Sequence, residues 1–546
     1  MSTSDSHESA MDGTRKNRMP VALICSLGVC LFVVFVADVA LAQVSSGSER
    51  RATAVAPYDL TAWLDEQFGR IWKEVGVEVP RVDDGTFLRR VYLDLHGRIP
   101  SVAETRDFLR DESPDKRHRL VESLLVNGTR ADRNSEQFAA QFARMWRRMM
   151  LPPGGTNAFM AQQFEPWLAE QFRDNTPYDQ FAKRLVTARG DDGARAAAFF
   201  AAVGGNPEGY ATAFSRIFLG ARLGCAQCHD HPFAKWKQKD FWGLAAFFAG
   251  TTGGQQGGPA SGKIEEMRKS TISHKDVEYA AKFLWGDQAE IPADKLPREV
   301  LADWMTAKDN PNFAAVAVNR MWQALNGRGL VAGVDDFDLA APEERGPFLD
   351  ELAGRFKYAS YDMRWLIRGI CTSRAYQAPS ASADADEASV VTGRRPLKVL
   401  TSEQVFDSLE QALMLPITRS NSDSARHNGT RMQMVSRFDE SVGDSPEEYS
   451  AGIPQVLMLM NGRITADAIS LERSRTLKAV VEAPFLDESS KLDTLFLATL
   501  TRYPTEKEQT VLLEHIRTQP NDEDRRAAYD EIFWALLNSP EFVLCR

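Results

Sequence analysis

Between Cys225 and His231 the chain sets two of its six cysteines and two of its eight histidines within seven residues, in the stretch LGCAQCHDHPFAKWKQKDFWGLAAFF. Cys225, Cys228 and His229 form C-x-x-C-H. Two thiols at this spacing reach the two vinyl groups of one porphyrin, and the adjacent imidazole swings under the iron as proximal ligand. The same side chains permit other chemistry. Cys225 and Cys228 with His231, or with a remote ligand, would make a structural zinc site. The thiols alone would make a redox dithiol or a structural disulfide. All four on one ion is sterically awkward, because His229 abuts Cys228, and a thioredoxin-like dithiol calls for a βαβ pattern that the flanks lack. His231, two residues from His229, cannot bind the opposite face of the same haem. Under the haem reading it is left to contact a propionate, to act as a distal acid/base elsewhere or, the favoured reading, to play a local structural role such as capping the loop before Pro232; only under the zinc reading is it a ligand. No motif fixes a sixth iron ligand. His274, just after a Gly-rich stretch, is a candidate mobile ligand, set against the plainer reading of a solvated loop histidine.

A second chemical cluster is VDDFDLAAPEE, with Asp335, Asp336 and Asp338. Such a group suits a hard cation or a sugar, or else a solvated turn with Asp as helix cap. The aromatics after the cysteines (Phe233, Trp236, Phe241, Trp242, Phe247 and Phe248) would wall a macrocycle from water or simply pack a core.

The elements that must position these residues read as helices. Ser101 with Glu104, Thr401 with Gln404, and Thr505 with Glu508 are capping boxes ahead of apolar residues at helical spacing. Ser113-Pro114 reads as N-cap and first-turn proline ahead of Leu120, Val121, Leu124 and Leu125. Asp240 reads as the cap of a helix carrying Phe241, Leu244, Ala245 and Phe248. Tyr529, Ile532, Phe533, Leu536 and Leu537 fall on one helical face. Only VGVEVP, from Val75 to Pro80, alternates like a strand. The expected fold is mostly α, with two α-helical domains at 56–250 and 276–546 joined by a Gly-rich segment at 251–275. Further soft regions lie from Pro379 to Thr392 and from Ser420 to Thr430.

The length of 546 residues predicts about two to four domains. A net charge of −10 gives no electrostatic reason to bind nucleic acid, so no nucleic-acid partner is expected. Arg15, Lys16 and Arg18 precede the uncharged run VALICSLGVCLFVVFVA, from Val21 to Ala37, and Ala40-Leu41-Ala42 follows. This reads as a signal peptide over 1–42, or as an uncleaved N-terminal membrane anchor through 21–37. Both place the bulk of the chain in the periplasm or beyond. Cleavage would leave Cys225, Cys228, Cys371 and Cys545, the last two either paired or buried as free thiols.

FLRRVYLDLHGRIPSVAETRDFL and FLGARLGCAQCHDHPFAKWKQKDFWGLAAFF resemble the domain-of-unknown-function family 1549, the planctomycete cytochrome-c-like domain. NPNFAAVAVNRMWQALNGRGLV, VDDF, DMRWLIRGICTSRAYQ and ALLNSPEF resemble its usual C-terminal companion, family 1553. The resemblance spans roughly Tyr58 to Phe542. It implies a cytochrome-like protein without assigning a reaction. The expectation is an exported protein with one covalent haem c at Cys225, Cys228 and His229, exchanging electrons with a redox partner protein in the cell envelope. Two other classes stand beside it: a zinc- or calcium-dependent enzyme acting on extracellular polymers, and a non-catalytic envelope scaffold.

Overall fold

The chain is described by a computed structural model over residues 59–125, 133–151, 158–189, 195–232, 234–253, 264–339, 342–380, 395–414, 429, 431–432, 434–435 and 474–545. The leader at 1–42, the stretch 43–55, the middle of the Gly-rich segment (254–263), residues 381–394 and most of 415–473 lie outside the described residues.

Helices dominate, as the sequence predicts. The first half contains α1 (Leu60–Glu74), α2 (Asp84–His96), α3 (Val102–Arg110), α4 (Lys116–Leu125), α5 (Arg133–Met150), α6 (Ala158–Arg173), α7 (Tyr178–Val186), α8 (Ala197–Ala202), α9 (Pro207–Leu219) and α10 (Gln238–Ala245). Next come α11 (Pro297–Met305), α12 (Phe313–Asn326), α13 (Pro342–Tyr358) and α14 (Met363–Thr372). The last group is α15 (Ser402–Leu413), α16 (Arg475–Val481), α17 (Glu488–Thr499), α18 (Glu506–Arg517), α19 (Asp522–Leu537) and α20 (Pro540–Val543). No helix among the described residues is long and apolar enough to cross a membrane.

Local signals set most boundaries. Ser101, Thr401 and Thr505 each cap a helix in a full box with Glu104, Gln404 and Glu508, satisfying two backbone N–H groups apiece. Helix α2 ends at Gly97, left-handed at φ 71°, where a Cβ would stand 2.2 Å from Gln141 Oε1. Two expectations fail. Ser113 does not cap α4: its hydroxyl bonds Asp111, and the helix begins at Lys116. VGVEVP is not a strand, because among the described residues no strand pairs with it; of its valines only Val79 is buried.

Among the described residues, three small antiparallel pairs complete the fold. Strand β1 (Thr251–Gly253) pairs with β2 (Ile264–Glu266), so both flanks of the Gly-rich stretch are fastened to each other. Strand β3 (Thr271–His274) pairs with β4 (Val277–Ala280), and β5 (Lys398–Val399) with β6 (Leu544–Cys545). The sequence reads 251–275 as linker because three- and four-residue strands carry too few side chains to show a period.

Two apolar cores organise the helices. The first runs from Leu60 to Ala378, and the second joins 400–545 to Leu93 and Ile99 from the first half. Leu60–Arg546 forms one compact unit. Ionic contacts cross between the cores. Arg147 and Arg148 of α5 grip buried Glu403 of α15, and Arg144 pairs with Asp407 at 2.9 Å. Asp94 of α2 accepts from Tyr376 Oη at 2.7 Å and pairs with Lys398 beside β6. Cys371 and Cys545 are both buried free thiols, and burial pushes the Cys371 thiol up.

Candidate functional site

Helix α9 starts at Asn206, whose side chain accepts from the Gly209 N–H at 2.8 Å, and Pro207 occupies its first turn. It stops at Gly220, left-handed at φ 61°, where a Cβ would stand 2.5 Å from Phe337 Cβ. No other residue type allows the helix end to press so closely on the Asp335 turn. The chain then enters a 3₁₀ turn, Gly224–Gln227. Leu223 and Ala226 are fully buried and hold the turn to the core. Residues three apart in a 3₁₀ turn lie on one side, so anchoring 223 and 226 turns 225 and 228 outward. Cys225, Cys228 and His229 are accordingly exposed, and both thiols are free.

His229 Nδ1 lies 2.8 Å from the Asp230 carbonyl oxygen. A carbonyl only accepts, so Nδ1 carries the proton and the lone pair of the neutral ring is on Nε2. Backbone anchoring of one imidazole nitrogen, with the other left for metal, is how ligating histidines are oriented. Exposed thiols on one side of a turn and a histidine in this tautomer fit covalent haem c. His231 is used differently. Its backbone N–H donates to Trp236 O at 2.8 Å, and its Nδ1 accepts from the Ala234 N–H at 2.9 Å. Both contacts are local to the loop. Among the described residues, no group of three or more His, Cys, Asp or Glu side chains is gathered to hold a metal ion.

Helix α10 pins the loop from behind. Gln238 Nε2 donates to the carbonyls of Gln227 and Cys228 at 3.0 Å each, and the Gln238 N–H donates to Asp230 Oδ1 at 2.9 Å. Trp242 Nε1 donates to the same Gln227 carbonyl at 3.2 Å. Gln238 and Trp242 are one helical turn apart and share a face; sequence reasoning missed the pair as loop holders, although that i, i+4 spacing was visible. Asp240 is not the helix cap that the sequence predicts. It stands third in the helix, within the first turn, accepts from the Lys237 N–H at 3.0 Å and pairs with Lys282 at 2.9 Å.

Most of the neighbouring aromatics pack the core: Trp236, Phe241, Trp242, Phe247 and Phe248 are all buried. Phe233 lies outside the described residues.

The Asp335 cluster is neither a solvated turn nor an open cation site. Asp335 is buried between Arg320, 2.6 Å away, and Arg216, 3.0 Å away. Burial alone would raise its carboxyl, but the two guanidiniums outweigh it and hold the group below the usual carboxylate range. Asp336 goes the other way: burial raises it, tempered by Arg222 and by His231. Arg222, three residues before Cys225, pairs with Asp336 at 3.7 Å, so the turn meets the approach to the C-x-x-C-H loop, which no local sequence signal showed. Arg320 and Trp322 serve packing: Arg320 also donates to the Ile217 and Arg216 carbonyls, and Trp322 stacks on Phe68. The side chain of Asp338 lies outside the described residues.

The arrangement defines a helical protein presenting two free thiols and an oriented histidine on one buttressed turn. Residues 64–253 match the family model PSCyt2, described as a protein of unknown function (DUF1549), and residues 297–435 match PSD1, also described as a protein of unknown function (DUF1553). The chain carries a PSCyt2 domain followed by a PSD1 domain, and the name of the first points to a planctomycete cytochrome-like domain. No curated protein and no solved structure matches the chain.

Proposed function

We propose that this protein is an exported c-type haem protein that exchanges electrons with a redox partner protein in the cell envelope. The observation that carries the reading is the loop itself: Cys225 and Cys228 turned outward as free thiols beside His229, whose Nδ1 is already held by backbone. Cys225 and Cys228 would hold the haem through thioethers, and His229 Nε2 would ligate the iron. The haem would supply one-electron chemistry. The chain's own part is to orient His229 through the Asp230 carbonyl and to fix the loop through Gln238 and Trp242. The basic and apolar segment at 15–42 supports export, either with cleavage or with retention at the outer face of the inner membrane.

The test is production of the full chain together with cytochrome c maturation machinery. Thioether bonds survive denaturation, so haem peroxidase staining is expected to travel with the polypeptide on a denaturing gel, with a Soret band in the purified protein. Colourless protein carrying one zinc, lost on Cys228→Ala, would overturn haem in favour of the zinc alternative.

A further inference from the structure

The surface around the C-x-x-C-H turn has a charge opposite to that of the chain. Between Arg222 and Lys239 the sequence sets four cations, Arg222, Lys235, Lys237 and Lys239, against one carboxylate, Asp230, while the whole chain carries a net charge of −10. All four cations are exposed, and between Lys235 and Lys237 the Trp236 side chain points inward and is buried. The lysines adjoin residues bonded into the loop. Trp236, whose carbonyl accepts from the His231 N–H, lies between Lys235 and Lys237. Gln238, which donates to the Gln227 and Cys228 carbonyls, lies between Lys237 and Lys239. Consecutive Cα atoms are about 3.8 Å apart, so the backbone itself lays this strip of lysines along the loop.

The neighbouring carboxylates do not cancel these charges. Asp240 pairs with Lys282, and Asp335 is clamped by Arg216 and Arg320, so neither adds net negative charge. Asp336, 3.7 Å from Arg222, offsets that one guanidinium and leaves the lysines. The hairpin of β3 and β4, whose His274 ring lies on Trp242 with centroids 4.2 Å apart, adds exposed Lys275, Asp276 and Glu278. Its single surplus negative charge leaves the lysine strip in excess. The centre that the cations border is uncharged: Gly224, Cys225, Cys228 and Pro232 are all exposed. An uncharged centre with a charged rim is the build of a small, transient protein interface.

We propose that this basic face docks an acidic face of the redox partner, with Lys235, Lys237 and Lys239 pairing with its carboxylates beside the C-x-x-C-H turn. This rests on the redox reading above and adds where the partner sits and what charge it carries. Electron exchange weakens steeply with distance, so the partner must reach the one turn that would hold the haem. A chain with a net charge of −10 repels an acidic protein from most directions, and a local excess of lysines at that turn selects the productive one. Steering of this kind raises association rates about 10- to 1,000-fold and fades with ionic strength.

The experiment follows reduction of the matured full chain by reduced flavodoxin, an acidic one-electron donor protein, in a stopped-flow instrument. Salt is raised from about 0.01 M to about 1 M, over which the screening length falls from about 30 Å to about 3 Å. Wild type is compared with Lys235→Glu, Lys237→Glu and Lys239→Glu combined, with the same three positions changed to Arg, and with Lys507→Glu on the exposed side of α18 as a control for net charge. Haem staining on denaturing gels reports attachment in each and is expected to be equal. The wild-type rate is expected to fall about 10-fold or more across the salt range. The glutamate variant should react at least about 10-fold more slowly than wild type in low salt, while the Arg variant and Lys507→Glu stay close to wild type. A stained glutamate variant that reacts as fast as wild type would refute this face while leaving the haem reading intact. Lysine-dependent sedimentation with phosphatidylglycerol vesicles, beside a donor rate indifferent to the lysines, would refute it too and make this a membrane face. Absence of staining in the wild type would overturn both the haem reading and this partner.

Discussion

Arg320 Nη2 stands 2.6 Å from Asp335 Oδ1, with 4% of the arginine side chain and 12% of the aspartate exposed. Arg216 shares the same carboxylate from α9, the helix that delivers the cysteine loop. Removing the carboxylate leaves two buried guanidiniums facing each other. Asp335→Ala is therefore expected to cost about 3–5 kcal/mol, the range for breaking a buried pair from one side. The Asp335 carboxyl is held below its ordinary value of 3.8. Its contribution is therefore present above that value and lost as pH falls through the folded pKa. Urea denaturation at pH 7 and near pH 3 checks this: the gap between wild type and variant should narrow in acid. An equal gap at both values would show that the carboxylate's charge is not what holds the turn.

Glu410 on α15 has the opposite shift. Burial, and then Asp407 nearby, raise its carboxyl from 4.5 to about 7, with Arg431 working against them. A raised acid binds a proton more tightly folded than unfolded, so the wild type should lose stability as pH climbs from about 4.5 to about 7. Glu410→Gln lacks this loss. The variant should gain stability relative to wild type between pH 5 and pH 8, read as a rising difference in denaturation midpoint. A difference independent of pH would rule out titration of Glu410 in that window.

These networks show how far the sequence could be read. Ser101–Glu104, Thr401–Gln404 and Thr505–Glu508 were legible because a capping box is complete within four residues. The C-x-x-C-H loop was legible for the same reason. Ser113 was misread because Asp111, two residues back, takes its hydroxyl instead. The partners of Asp335 were not legible at all, since Arg216 lies 119 residues away and only the folded chain brings it near. His274 was visible as a residue, but its stacking on Trp242 depends on a hairpin too short to show alternation.

Gln238 is the prediction that bears on the loop alone. Its side chain makes two hydrogen bonds to successive loop carbonyls. Gln238→Ala removes both and is expected to cost about 1–3 kcal/mol. The effect should be local: amide exchange should speed up across 225–231 and stay unchanged in the second core around Leu495 and Phe533. Haem attachment should continue at reduced yield, because the thiols remain. Unaltered exchange in the loop would show that Trp242 and the buried Leu223 and Ala226 suffice to hold it.

The four chemical residues of the loop should separate cleanly. Cys225→Ala and Cys228→Ala each remove one thioether and are expected to weaken or abolish covalent staining. His229→Ala removes the nitrogen whose tautomer the Asp230 carbonyl fixes, and should impair attachment as well. His231→Ala should keep attachment, because Nδ1 of that ring accepts from the Ala234 N–H and the spacing prevents it from serving the same iron. Its cost should instead appear as stability, about 0.5–1.5 kcal/mol for one intramolecular hydrogen bond. A zinc site built on Cys225, Cys228 and His231 predicts the reverse order, with His231→Ala losing the metal and His229→Ala keeping it. Staining intensity per chain, read beside metal content and denaturation midpoint for the four variants, decides between the two orders.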